Sequence, residues 1–286
     1  MSQMEPLISI GMPIKNGFRN KSKNDTNLEK ALKSILGQSY KNLEILISND
    51  CSTDETENYI NDIAKIDKRV IVFNHKKKLG LGPNFRFVLE KSSGKYFKWN
   101  AQDDIISKDY IKNNLEFLEQ NSEYVASSSK FYYENNLDQF YSYNLDEGLF
   151  SRIDGFFDIR HLAHNITHSL IRREYMFKIT SFSKDFWAID WIFDLELMIH
   201  GKYKTLSDGH VIYGTKGFSK QKEFLLREQY NKKKIYKLFP FYELMKILFL
   251  KTIFISELNL LQKIRIYYRA LKINFHFLKM KIKNNN

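Results

Sequence analysis

The chain has 286 residues, 43% hydrophobic and 15% aromatic, which is ample for a large core and excludes a disordered chain. Its one cysteine, Cys51, excludes a disulfide framework, and the opening residues Met1–Pro6 lack the basic and apolar runs of a signal peptide, so a cytoplasmic protein is expected. The net charge of +12 is confined to one end: residues 1–219 hold 29 Lys/Arg against 29 Asp/Glu, and residues 220–286 hold 16 against 4. A neutral body argues against nucleic acid as its partner, and a basic, apolar tail predicts an anionic surface.

Leu7–Met12 reads as a buried strand stopped by Pro13, followed by a polar loop over 15–26. Leu28, Ala31, Leu32, Ile35 and Leu36 recur at helical spacing. A second strand, 43–48, ends in Asn49-Asp50, and Ser52 or Thr53 is suited to cap a helix running to about Ile66. Val70–Phe73 is a third strand. A Gly80–Pro83 loop opens a helix that ends before Gly94, and strand 96–99 runs into Asp103-Asp104. A helix over 108–120 and a strand near 124–128 follow. Strands alternating with helices predict an α/β fold with a mainly parallel sheet.

The second half is less regular. Residues 131–160 read as a long loop, Thr167–Arg172 as a strand, 191–200 as a helix closed by Gly201, and 211–213 as a short strand. The chain divides near 220 into a body, 1–219, and a basic helical tail, 220–286.

Asp103 and Asp104 stand at a strand end, where open α/β sheets bind ligands, and paired carboxylates there suit Mg²⁺ or Mn²⁺ bridging to phosphate. The plain alternative is a solvated turn that caps the next helix. Asp50, at the end of the second strand, can accept from a ribose or base, or can simply close an Asx turn.

Several motifs resemble family 2 glycosyltransferases. They are Pro13-Ile14-Lys15-Asn16, Ser34–Tyr40, Glu44–Asp54, Gly80–Phe85 and Ser93–Asp104, and the likeness covers about residues 6–219. It implies a GT-A fold, with a nucleotide-binding half over about 1–130 and an acceptor half over about 131–219, and transfer of a sugar, usually with inversion, from a nucleotide diphosphate donor, UDP being one candidate. The acceptor it implies is a hydroxyl of a cell-surface glycan or a lipid-linked acceptor. Matched position by position, Pro13, Ile14 and Asn16 lie under the base, Asp50 contacts the nucleoside, Asp103 the ribose, and Asp104 the metal. Asp190 matches the general base, with Asp185, Asp194 and Glu196 as alternatives and a helix N-cap as the plain reading. His168 and Arg172 match the acceptor side, or serve as a structural histidine and a surface charge.

Ala101 stands where relatives carry a further acid, and Lys15 where they carry a tyrosine. Lys216 replaces a histidine, and there it can neutralise phosphate directly. Two rival readings are a non-catalytic basic protein that binds membrane or nucleic acid, and a metal-dependent nucleotidyltransferase. The latter lacks its Gly-rich phosphate loop here.

In the tail, Leu260, Ile264, Tyr267, Leu271, Phe275, Leu278 and Ile282 form one helical stripe. Arg265, Arg269, Lys272, His276, Lys279 and Lys283 form another. This pattern predicts a peripheral association of 220–286 with an anionic inner leaflet, or an apolar stripe packed on the body.

Overall fold

The structure, a computed structural model, describes residues 5–18, 26–162, 164–179, 181–183, 188–215, 235, 239 and 241–284. Strands β1 (Ile8–Ile14), β2 (Leu43–Asn49), β3 (Val70–Asn74) and β4 (Tyr96–Trp99) pair in parallel in the order β3-β2-β1-β4. Helices α1 (Asn27–Leu36), α2 (Thr56–Ile66) and α3 (Leu81–Lys91) are the crossovers between them. The sheet continues through β8 (Leu170–Arg172), β6 (Tyr124–Tyr133), β9 (Lys202–Tyr213) and β5 (Ile105–Ile106), with β7 (Asn136–Tyr141) hairpinned onto β6. Helix α4 (Tyr110–Gln120) packs against β6. This curled α/β sheet is the architecture expected.

Local differences have physical causes. β1 runs through Pro13 because its pairing with β4 ends at Gly11↔Trp99. Beyond Gly11 the missing proline N–H leaves no ladder bond unmade. Ser52 and Thr53 do not cap α2. They bind Asn16, and Asp54 takes the capping role through the Thr56 amide at 3.1 Å. Residues 131–160 are not a long loop: β6 extends to Tyr133, β7 returns, and Leu149–Ile159 forms α5. Thr167 closes a short helix, α6 (His164–Thr167), leaving only Leu170–Arg172 as strand. The brief strand expected at 211–213 is the end of the twelve-residue β9.

Helix α7 (Arg173–Met176) precedes α8 (Ile189–His200), whose buried face includes Ile192, Phe193, Leu197 and Met198. Two tail helices, α9 (Tyr242–Thr252) and α10 (Leu260–Asn284), join the same apolar cluster. α9 lies on α8 and α10 on α5. Trp191 stacks on Phe241 at 5.3 Å, and Arg265 and Arg269 pair with Asp154 at 2.7 and 3.2 Å. The face of α10 that packs is not the stripe read from the sequence. Ile266, Ala270 and Ile273 are buried, whereas Leu260, Ile264 and Phe275 are exposed.

Candidate active site

Because β1, β2 and β4 are parallel neighbours, the loops after Ile14, Asn49 and Trp99 leave the sheet at one edge. Side chains then tie them together. Asn16, in a left-handed conformation (φ 51°), donates its amide to Ser52 Oγ at 2.8 Å, and its Oδ1 accepts from the Thr53 amide at 2.8 Å. Pro13 and the buried Ile14 carry the strand up to this junction. Gln102 accepts from the Lys15 amide at 2.9 Å and donates to the Lys15 carbonyl at 3.2 Å, joining the first loop to the Asp103-Asp104 loop.

Asp50 is buried at the centre of this edge. Its oxygens accept from the amides of Leu79, at 2.5 Å, and Gly80, at 3.4 Å, and the Lys15 ammonium lies 3.8 Å away. Gly80 has a φ of 97°, a conformation open to glycine, and it starts α3 directly from the Asp50 clamp. Asp50 therefore fixes the Leu79-Gly80 turn to the end of β2 and also pairs with the Lys15 ammonium.

Asp104 is almost fully buried, and its Oδ1 accepts from the Gly214 amide at 3.2 Å. Burial, then the neighbouring Asp103 charge, pushes its carboxyl up to about 7, against an opposing pull from Lys98. Asp103, more open, is also raised by burial, with Glu134 adding to the effect. A side chain on Gly214 would collide with the Asp103 carboxylate, so the close approach requires glycine there. Asn100 donates to the Asp104 carbonyl at 2.9 Å and holds the loop from below.

Lys98 was not anticipated as part of the site. It is fully buried beneath the acids and donates to the carbonyls of Trp99, at 3.3 Å, and of His168. Its ammonium stands 4.9 Å over the Tyr110 ring. Burial lowers it to about 7, against the stabilising charge of Asp104. A lysine inside the apolar strand Tyr96–Trp99 was the one available signal, since a buried charge needs partners.

His168 sits at the same place: its Nδ1 is 3.3 Å from the Trp99 carbonyl. Burial, then Lys98, lowers it to about 3, so the ring is neutral. The adjacent Thr167 donates to Asp194 Oδ1 at 2.7 Å. Asp194 is fully buried, and its other oxygen has no hydrogen-bond partner among the described residues. Burial, then the Asp190 charge, raises it well above the usual carboxylate range. Asp190 lies one turn earlier in α8, is the more accessible of the two, and is itself raised by burial. Contacts thus tie Asp50, Lys15 and Gln102 to the Asp103-Asp104 loop, and separately tie Trp99 to His168 and its neighbour Thr167 to Asp194, with Asp190 one turn earlier in α8.

The structure does not bring every candidate to this edge. Arg172 pairs in register with Tyr96 at the opposite end of β4, and its guanidinium donates to the carbonyls of Tyr124, Leu118 and Asn121. It closes the C-terminal end of α4 rather than facing an acceptor. Glu196 is engaged by Lys251 at 3.2 Å under α9, which removes it from the alternatives for base. Lys216 and Asp185 lie outside the described residues. No group of three or more His, Cys, Asp or Glu arranged to hold a metal occurs among the described residues.

Five similarities accompany this geometry. An uncharacterized glycosyltransferase of Haemophilus influenzae is 36% identical over 102 residues, covering 36% of this chain and 32% of the relative. A second relative from that organism is matched over 44% of its length, so the matched region spans less than half of these relatives. The S. aureus TarS 1-349 structure in complex with UDP-GlcNAc shares the fold at a TM-score of 0.70 and 17% identity, covering 96% of this chain and 74% of that one. The Pyrobaculum calidifontis mannosyltransferase PcManGT, in complex with GDP-Man and Mn²⁺, gives 0.58 and 14%, covering 93% and 69%. The model of Glycosyl transferase family 2 matches residues 9–186, and the chain belongs to that family.

Proposed function

We propose that the chain is an inverting glycosyltransferase. It moves a sugar from a nucleotide diphosphate donor to a hydroxyl of a cell-surface glycan or a lipid-linked acceptor at the cytoplasmic side of the membrane. The observation that supports this reading is the tying of the Asp50, Lys15 and Asp103-Asp104 loops at one sheet edge, with α8 and its Asp190 approached through His168, Thr167 and Asp194. The fold neighbours crystallised with UDP-GlcNAc and with GDP-Man support a sugar nucleotide as the donor class.

Asp50 and the Asn16 turn shape the nucleoside end, and the Lys15 ammonium offers a cation to the donor. Asp103 and Asp104 fit a divalent Mn²⁺ or Mg²⁺: two crowded, desolvated carboxylates are both pushed toward protonation, and a cation relieves that cost. When bound, the metal offsets charge on the departing diphosphate. In-line displacement requires the acceptor proton to leave on the opposite face, and Asp190 takes it there. The raised carboxyl makes Asp190 a better proton acceptor than a solvated aspartate.

The test is transfer measured with a panel of UDP- and GDP-sugars, with and without Mn²⁺. Asp104→Ala and Asp190→Ala each lower kcat/KM by about 10²–10⁴-fold while the melting temperature stays near the parent's. Undiminished turnover in either variant removes that residue from the scheme.

A further inference from the structure

We propose that α9 and α10 form a docking face for an anionic phospholipid bilayer. α10 is apolar on two sides. Ile266, Ala270 and Ile273 are buried in the cluster shared with α5 and α9. Leu261, Ile264, Tyr268 and Phe275 recur at helical spacing elsewhere and are 77%, 53%, 63% and 61% exposed. Ile264 and Ile266 differ by two positions, as do Tyr268 and Ala270, which is about 200° around a helix. The body therefore covers one face and leaves the other open. The open face continues onto α9: the Phe249 ring lies 5.5 Å from Tyr267, and Phe254, in the turn between the helices, is 87% exposed.

Charge decides the occupant. The segment Leu260–Asn284 holds seven Lys/Arg and no Asp or Glu. Arg265 and Arg269 are paired with Asp154 and Asp158 on α5. Lys272, His276 and Lys279 are exposed beside the open stripe. A second copy meeting this surface across a two-fold axis would set cations against cations. A bilayer of anionic lipid offers the opposite charge together with an apolar interior for the side chains. Among the described residues no helix is long and apolar enough to cross a membrane, so the surface lies along the interface.

Co-sedimentation with phosphatidylcholine vesicles, with and without phosphatidylglycerol, tests this with the full chain. The parent binds the phosphatidylglycerol vesicles at low salt and the neutral ones about tenfold or more weakly. The double variants I264E/F275E and K272E/K279E each lose about tenfold or more of the binding at unchanged melting temperature. Should I264E/F275E fail to fold, K272E/K279E alone decides. Vesicle binding that is absent in the parent, or unchanged in the variants, overturns the proposal. So does a parent dimer in sedimentation velocity that I264E/F275E dissociates, because that outcome assigns the face to a second copy.

Discussion

The β1–β4 half and the α9–α10 pair both bury apolar side chains, yet they differ in how much freedom the packing leaves. In the sheet, a period of two and parallel pairing leave one register, so the loops carrying Asp50 and Asp103-Asp104 must emerge side by side. In α10 the apolar arc is wide enough to offer two faces, and the body takes only one. A strand that enters a sheet has its function placed by topology. A helix that lands on a finished body has its orientation chosen by fit.

Trp99→Ala carries the largest expected stability loss. The ring touches Phe85, Phe97, Phe182 and Phe193, and its N–H donates to the Phe85 carbonyl at 3.0 Å. The cost is about 3–5 kcal/mol in denaturant unfolding, and a loss under about 1 kcal/mol would mean that β4 is not the hub of the sheet half. On α10, Ile266→Ala should cost about 2–4 kcal/mol and Ile264→Ala within about 0.5 kcal/mol. Equal costs would erase the distinction between the covered face and the open one.

Asp154→Ala, which frees Arg265 and leaves Arg269 with Asp158 alone at the α5–α10 contact, should cost about 1 kcal/mol and less at high salt, because Arg265 is largely exposed to screening. A cost that ignores salt would point to lost packing rather than lost charge.

A further prediction concerns pH. Burial lowers His164 from 6.5 to about 4, so the native ring stays neutral where the unfolded chain protonates. Its contribution is fully present above about pH 6.5 and is lost as pH falls toward about 4, by at most about 1.4 kcal/mol per pH unit. His168, lowered to about 3, acts in the same direction. Asp104, raised to about 7, acts oppositely, losing stability as pH rises from about 4 to about 7. Subtracting the profile of His164→Phe from that of the parent isolates the first term, and identical profiles would refute it.

Much of the site was legible because Asp50 and Asp103-Asp104 follow the ends of apolar strands, and the run from Tyr96 through Trp99 to Asp104 says so in nine residues. Arg172 was misjudged for a reason that reading order hides. It sits only four residues after His168, but β8 runs antiparallel to β4, so those four positions carry it toward the opposite end of the sheet. Gly214 and Gln102 were not singled out, since their value lies wholly in the loops they approach.

Local pattern was enough for the alternation of strands and helices, for the acids at strand ends and for the basic character of the tail, because those depend on side-chain period and composition along the chain. Folding in three dimensions decided the burial of Lys98 against the His168 carbonyl, the joining of Thr167 to Asp194, and the choice between the two apolar faces of α10. Each of these is a meeting of residues far apart in the chain, and such meetings take their energy from shape and desolvation that no single segment contains.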